Sequence, residues 1–191
     1  MFENTKIPKG LLPKNIDNLP NIDTSWDKYH KNSCAVCLIF IPGTNGAEII
    51  LTKRSNQVRT HKGQIGFPGG RRDPQDKSPT QTAFRETEEE IGIPTAALSP
   101  HYQLATAYGV EGQSIIPIVA STDMDTKKIN INQNEVASII LMPWTNFYQS
   151  CASKFDFKLF GKLRESYLYE VSAHRIWGIT ARILFNANLK S

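Results

Sequence analysis

The segment 78–92 constrains the fold more than any other part of the chain, because both ends of a helix are marked in it. Ser78 is a typical N-cap residue, Pro79 suits the first helical position, and Gln81 stands three residues after Ser78, as in a capping box. Gly92 suits the left-handed position that closes a helix, and a proline follows two residues later. The sequence therefore predicts a helix over 79–91.

The second half of this helix carries four glutamates within five positions, namely Glu86, Glu88, Glu89 and Glu90. Glu86 is expected to lie beside Glu89 and Glu90, while Glu88 points elsewhere. Like charges at this spacing destabilise a helix by roughly 0.2–0.5 kcal/mol per pair, and the helix dipole disfavours negative charge at this end. A divalent cation would reverse both effects, and oxygen ligands favour Mg²⁺ or Mn²⁺. A solvated acidic face, partly paired with Arg85, is the alternative.

Apolar runs and turn signals divide the rest of the chain. Strands are predicted over 33–42, 47–55, 102–110, 114–122, 136–144, 154–160 and 165–173, with a strand and loop over 63–70, a short helix over 145–150 and a C-terminal helix over 179–189. Runs joined by short turns are expected to form hairpins. The irregular alternation of helix and strand predicts a mixed α+β fold. The polar residues 1–30 are expected to form an N-terminal arm, followed by one domain over 31–191.

The distribution of charge is more informative than its total. The formal net charge of +4 does not demand a nucleic-acid partner, but the segment 51–70 contains no acidic residue. Its basic residues are Lys53, Arg54, Arg59 and Lys62. A basic segment followed by the glutamate cluster suits an anionic substrate that meets a metal ion. Phe67 is the only aromatic residue between Lys53 and Arg72, which argues against RNA binding.

The three cysteines do not indicate a disulfide framework, because their number is odd and low. Cys34 and Cys37 form a C-x-x-C inside an apolar strand, whereas a redox motif is expected at the start of a helix, so both are interpreted as core residues. The sequence has neither an apolar core of signal-peptide length near its start nor an apolar run that could span a membrane. A soluble, cytoplasmic monomer or homodimer is expected.

The sequence over 69–93 resembles the Nudix box, whose pattern is G-x5-E-x7-R-E-U-x-E-E-x-G-U, with U apolar. The matching residues of its second half are Arg85, Glu86, Glu89, Glu90, Gly92 and Ile93. Thr87 stands at an apolar position. In the first half, Gly70 is in place, but Asp76 replaces the glutamate and one extra residue separates it from Arg85. A loop acid near the helix N-terminus is the alternative interpretation of Asp76.

A second pattern lies just upstream and resembles the coenzyme A pyrophosphatase group of that superfamily. The group's pattern is L-L-T-x-R-[SA]-x3-R-x3-G-x3-F-P-G-G, and residues 50–70, ILTKRSNQVRTHKGQIGFPGG, fit it throughout except at Ile50. The group's form of the box also has matches at Asp73, Asp76, Thr82 and Ala83. The segment HRIWGITARIL over 174–184 is similar to the group's closing segment. Together the resemblance covers roughly 30–187 of the chain.

The resemblance implies an α/β/α sandwich around a mixed sheet and a metal-dependent hydrolase. Its expected substrate is the diphosphate of coenzyme A or its thioesters, and its products are adenosine 3′,5′-bisphosphate and (acyl-)4′-phosphopantetheine. Another nucleoside diphosphate derivative, such as ADP-ribose, is an alternative substrate. A nucleotide-binding regulator without catalysis is the alternative from another class, and the intact Arg85-Glu86 and Glu89-Glu90 pairs weigh against it.

Site residues follow from the resemblance. The implied ligands of Mg²⁺ or Mn²⁺ are Glu86, Glu89, Glu90 and the carbonyl of Gly70. Arg85 is expected to hold a glutamate in position, with a surface salt bridge as the alternative. The base that activates water is either a box glutamate, such as Glu86 or Glu89, or Glu135 in a later loop. Arg54, Arg59, Gly69 and Gly70 are the expected substrate-binding residues, since coenzyme A carries several phosphates and glycine lets the backbone approach a ligand. Of the two arginines, Arg59 is preferred because it lies in a loop, and a structural ion pair is the alternative for Arg54 at a strand end.

Overall fold

The computed structural model describes residues 22–23, 25–44, 46–109, 112–148, 151–159 and 161–188. The predicted arm over 1–30 lies mostly outside these residues. The strands are β1 (Cys34–Gly43), β2 (Gly46–Arg54), β3 (Ile65–Gly66), β4 (Gly69–Arg71), β5 (Ser99–Gln103), β6 (Ala107–Tyr108), β7 (Ser114–Ser121), β8 (Val136–Pro143), β9 (Ala152–Leu159), β10 (Lys162–Val171) and β11 (His174–Trp177). The α-helices are α1 (Pro79–Ile91) and α2 (Gly178–Asn188).

Eight of these strands form one mixed sheet. Its order is β3-β2-β1-β7-β5, with β4 paired to β1, β6 to β7 and β8 to β2. β1 and β7 run parallel, and the other pairs of this sheet are antiparallel. β9, β10 and β11 form a separate antiparallel sheet in the order β11-β10-β9. The predicted mixed α+β fold is therefore confirmed.

β1 lies between two layers, which explains its unbroken apolar sequence. Cys37 and Ile39 face the core that contains α1, whereas Leu38 and Phe40 face the core that contains α2 and the three-stranded sheet. Alternate side chains of one strand thus supply both cores. All three cysteines are free. Cys37 is fully buried, as the core interpretation requires, whereas Cys34 is partly exposed. No helix in the described part of the chain is long and apolar enough to cross a membrane.

The boundaries of α1 are those predicted from its end signals. The hydroxyl of Ser78 accepts a hydrogen bond from the Gln81 backbone N–H at 3.2 Å, while Oε1 of Gln81 accepts one from the Lys77 N–H at 2.9 Å. Gly92 has φ of 69° and donates its N–H to the Glu88 carbonyl at 2.9 Å. A side chain at Gly92 would also lie against the Asn130 carbonyl. The helix is thus closed at both ends by local contacts.

Two predicted elements differ from the structure, and one observed strand has no counterpart among the predictions. The strand expected over 102–110 is divided into β5 and β6, because it runs beside Pro117 of β7, which accepts a hydrogen bond from the Leu104 N–H but has no N–H to return. The short helix expected over 145–150 is a 3₁₀ turn at Trp144–Phe147. β11 was not predicted as a strand, although its four residues pair with β10.

Candidate active site

The glutamates of α1 lie where four parts of the chain meet. β4 leads into the helix, the end of β2 approaches from the large sheet, and the loop before β8 runs past the helix C-terminus. The carbonyls of Glu90 and Ile91 accept hydrogen bonds from the N–H groups of Asn132 at 2.9 Å and Asn130 at 3.2 Å. These contacts satisfy carbonyls that a helix end leaves without partners and fix the loop against the glutamates.

Arg85 connects three carboxylates. Its Nη1 donates to Glu89 at 2.9 Å, and its Nη2 lies 3.0 Å from a Glu86 oxygen. Nε and Nη2 donate to the two oxygens of Asp76 at 3.2 and 3.0 Å, in the two-point geometry that suits a guanidinium. Nη2 also donates to the Arg71 carbonyl at 3.1 Å. Arg85 therefore joins two box glutamates to the loop between β4 and α1, and its orienting role in the enzyme stays a prediction.

Asp76 is the partner that aligns Arg85. Its side chain is 3% exposed. Besides the guanidinium, it accepts hydrogen bonds from the Thr82 hydroxyl at 2.6 Å and the Asp73 backbone N–H at 2.9 Å. Burial alone would raise the pKa of Asp76, but the hydrogen bonds from Arg85, Thr82 and Asp73 together lower it below the ordinary value. Asp76 is thus a charged structural group.

Glu90 has a different environment. Its side chain is also 3% exposed, and one oxygen accepts a hydrogen bond from the Gly69 N–H at 3.2 Å. The other oxygen lies 3.7 Å from Nη1 of Arg54. Burial raises the pKa of Glu90 to about 7, against the Gly69 hydrogen bond and the charge of Arg54, and the negative charges of Glu86 and Glu135 add to the increase.

Glu86 faces the glycine pair that precedes the box loop. A Cβ atom at Gly70 would collide with the Glu86 carboxylate, so only glycine allows this approach. Gly69 has φ of 143°, and a Cβ there would collide with the Ala35 carbonyl. Burial raises the pKa of Glu86; Arg85 opposes the increase, and the charges of Glu89 and Glu135 add to it.

The loop before β8 places Glu135 in the same electrostatic environment. The carbonyl of Glu135 accepts a hydrogen bond from the Ser55 N–H at 2.8 Å, which ties this loop to the end of β2. Its carboxylate accepts one from Asn132 at 3.4 Å. Because the charge of Glu135 raises the pKa of both Glu86 and Glu90, its side chain is within electrostatic range of both.

The two arginines predicted to bind the substrate differ in position. Arg54, at the end of β2, lies against Glu90, and its Nε is buried without a hydrogen-bond partner among the described residues. Arg59 is exposed in the 55–64 loop. No ion pair among the described residues joins Arg59 to a carboxylate, so its guanidinium is accessible to an anion. The structure therefore places Arg54, but not Arg59, against the glutamates.

The chemistry of these residues fits a hard divalent cation. Glu90 is buried and Glu86 is partly buried, the pKa values of both are raised by burial and by other acids, and a cation would remove that cost. The donors are oxygens, as Mg²⁺ and Mn²⁺ prefer. Among the described residues, however, no group of three or more aspartate, glutamate, histidine or cysteine side chains has a geometry that could hold a metal ion. The ligand set of Glu86, Glu89, Glu90 and Gly70 stays a prediction.

Sequence reasoning missed the structural role of Asp76. It stands nine residues before Arg85, too far for the helical spacing rules to relate the two, and the loop brings them together. The usable signal was chemical: Asp76 occupies the place of the acidic residue in the first half of the box, one residue out of register. Apart from the glycine pair, no sequence pattern predicts the hydrogen bond from the Gly69 N–H to Glu90.

Comparison with known proteins gives consistent matches. A model of the NUDIX domain matches residues 31–160. A protein of Yersinia enterocolitica, named "Uncharacterized Nudix hydrolase NudL", is 37% identical over 140 residues, which cover 71% of this chain and 70% of that protein. The protein of the same name from Photorhabdus laumondii is 36% identical over 137 residues, which cover 71% of this chain and 73% of that protein.

The fold also matches a solved structure. The Nudix hydrolase RenU of M. smegmatis aligns with a TM-score of 0.51 and 22% identity, over 61% of this chain and 73% of that chain. A likeness at this level of identity supports the arrangement of strands and helices and leaves substrate open.

Proposed function

The chain belongs to the NUDIX domain family and is a pyrophosphohydrolase, and from that premise we propose that it hydrolyses the diphosphate of coenzyme A or its thioesters. The products are adenosine 3′,5′-bisphosphate and 4′-phosphopantetheine or its acyl form. The observation that carries the proposal is the junction between the 50–70 pattern and the box. Arg54 and Gly69, both from that pattern, contact the same carboxylate, that of Glu90.

This junction matters because it joins the two parts of the sequence that bear on substrate. The glutamates of the box serve diphosphates in general, whereas the 50–70 pattern resembles the coenzyme A group. Arg54 is partly exposed beside Glu90, so it is available for a phosphate next to the glutamates. Arg59 lies in the exposed loop that follows and adds a second cation for the same substrate.

Enzymes of this family generally require a divalent cation, and we propose that Glu86, Glu89, Glu90 and the Gly70 carbonyl hold it. When bound, such a cation supplies charge neutralisation for the diphosphate and a more acidic water molecule. Arg85 keeps Glu86 and Glu89 in place through direct contacts, and Asp76 keeps Arg85 in place. The close approach of Gly70 to Glu86 sets the backbone beside the carboxylates.

Glu135 is the proposed base, with a box glutamate as the alternative. Two observations support this assignment. The 129–135 loop is fixed against α1, and the charge of Glu135 raises the pKa values of Glu86 and Glu90. A base must lie within hydrogen-bonding reach of the attacking water, directly or through another water. For Glu135→Gln we expect a lower kcat with unchanged Mn²⁺ affinity. A change in Mn²⁺ affinity without a change in kcat would instead assign Glu135 to the metal.

The proposed substrate is tested by assaying coenzyme A, an acyl-coenzyme A, dephospho-coenzyme A and ADP-ribose side by side with Mg²⁺ or Mn²⁺. We expect the highest kcat/KM for coenzyme A or its thioester, with adenosine 3′,5′-bisphosphate as the nucleotide product. A preference for ADP-ribose would contradict the proposal and favour the alternative substrate class.

A further inference from the structure

A cavity of about 580 Å³ lies between the edge of the large sheet and the three-stranded sheet. Lys53 of β2 and Ile65 of β3, which pair with each other, form one wall. Leu168 of β10 and Trp177 of β11, also a cross-strand pair, form the other. Ile65 belongs to the core that contains α2, so this cavity, here called the sheet-edge pocket, opens on the side of the sheet away from α1.

The three-stranded sheet turns one particular face toward the sheet-edge pocket. Tyr169 and Ile176 are directly opposite each other and fully buried, which identifies the core face. The neighbouring pair, Leu168 and Trp177, must lie on the other face because successive residues alternate. Arg175, two residues before Trp177, shares that face and also lines the cavity. The pocket is therefore built by the outward face of this sheet.

The lining combines aromatic surface with positive charge. Trp177 is 50% exposed and Phe155 is 41% exposed, so both rings are accessible. Lys53 and Arg175 supply cations, and the lining formed by the described residues includes no aspartate or glutamate. Arg175 pairs with Glu170 at 3.2 Å, but both side chains are largely exposed, and such a pair exchanges readily for a phosphate. A ligand with an aromatic ring and a phosphate fits this lining.

The backbone joins the sheet-edge pocket to the glutamate site. Lys53 precedes Arg54, whose guanidinium lies 3.7 Å from Glu90. Arg54 also donates its N–H to the Gln64 carbonyl at 2.9 Å and accepts from the Gly63 N–H at 3.2 Å. Gly63 lines the pocket, so one short loop borders both places.

We propose that the sheet-edge pocket binds the nucleoside half of the substrate, with the base stacked on Trp177 and a phosphomonoester held by Lys53 and Arg175. This inference rests on the proposed function, because coenzyme A carries its 3′-phosphate and its diphosphate on one ribose. It adds specificity: a substrate with the additional phosphate gains contacts that ADP-ribose and dephospho-coenzyme A lack. Lys53, Arg175 and Trp177 are then specificity residues outside the glutamate site.

The test measures binding without turnover or metal. Calorimetry on Glu90→Gln protein in chelator compares adenosine 3′,5′-bisphosphate with adenosine 5′-monophosphate. We expect the bisphosphate to bind about tenfold more tightly, as one added charge-assisted contact would give. Adding Lys53→Met should remove that preference, and adding Trp177→Leu should weaken both nucleotides about tenfold through loss of stacking.

Lys28→Met is the matched control. Lys28 is an exposed lysine that pairs with Asp23, and Asp23 is hydrogen-bonded to Gln103 of β5, at the opposite end of the strand order from β3. The Lys28→Met change should leave the affinities for both adenosine nucleotides unchanged. Equal binding of the two nucleotides, or affinities that Lys53→Met and Trp177→Leu do not alter, would overturn the inference. If the preference is present but coenzyme A is not hydrolysed, the proposed function fails and the assignment of the pocket stands.

Discussion

Asp76 and Glu90 are equally buried, each 3% exposed, yet their pKa values change in opposite directions. Asp76 accepts hydrogen bonds from Arg85, Thr82 and the Asp73 backbone, and together they outweigh the cost of burial. Glu90 accepts one hydrogen bond from a backbone N–H and has a guanidinium at 3.7 Å, and these two interactions do not outweigh the cost of burial. Burial by itself therefore does not distinguish a structural carboxylate from a chemical one; the donors around it do.

The largest expected effect is on Glu90→Gln. If Glu90 holds the cation, this change should lower kcat by about 10³-fold, because the charge that binds and positions the cation is lost. The protein should remain folded, since an uncharged amide is easier to bury at this position. Steady-state kinetics with coenzyme A and Mg²⁺, beside circular dichroism, checks both parts. Near-normal turnover in Glu90→Gln would contradict the assignment of Glu90 to the chemistry and of Asp76 to the structure.

Asp76→Asn should show the opposite pattern, with stability affected first. Arg85 would lose its two-point partner and Thr82 its acceptor, and we expect a loss of roughly 3 kcal/mol in the free energy of unfolding. Denaturant melts of the metal-free protein measure it. The matched variant Asp73→Asn, which leaves the Asp73 backbone N–H in place, should cost much less. Equal losses for the two variants would show that the alignment of Arg85 contributes little.

The two carboxylates should also give opposite dependence of stability on pH. The pKa of Glu90 is about 7 in the folded protein and 4.5 ordinarily, so the folded state holds a proton that the unfolded chain releases. Metal-free protein should therefore lose roughly 2 kcal/mol of stability as pH rises from about 5 to 7.5. Glu86 acts in the same direction. Asp76, with a lowered pKa, contributes stability that is lost only as pH falls below its ordinary value of 3.8.

Unfolding measured across this pH range in chelator provides the check, with Glu90→Gln as the control that should flatten most of the slope. A slope of the same size in Glu90→Gln would assign it to other groups.

The smallest expected effect concerns Arg54. Arg54→Gln should raise KM for coenzyme A about tenfold, because one phosphate contact is lost. It should also raise the pKa of Glu90 further, since the charge of Arg54 opposes that increase. Arg59→Gln should raise KM without altering the pH dependence of stability. Identical behaviour of the two variants would contradict the difference in their positions.

Local signals explain why some elements were predictable. The bounds of α1 follow from Ser78, Pro79 and Gly92, whose effects act within a few residues. The division between β5 and β6 depends on Pro117 in a neighbouring strand, and the site depends on contacts such as Asp76 with Arg85. Those contacts require the loop path, which periodicity does not reveal. The sheet-edge pocket depends on β11, a strand that the sequence did not predict.

Calorimetric titration of Mn²⁺ at about pH 6 tests most directly whether Glu90 is a metal ligand. At this pH the Glu90 carboxyl, with a pKa of about 7, is largely protonated, so binding must release a proton. We expect a heat of binding that changes with the ionisation enthalpy of the buffer, and an affinity that rises toward pH 7. Equal Mn²⁺ affinity and proton release in Glu90→Gln would contradict the account.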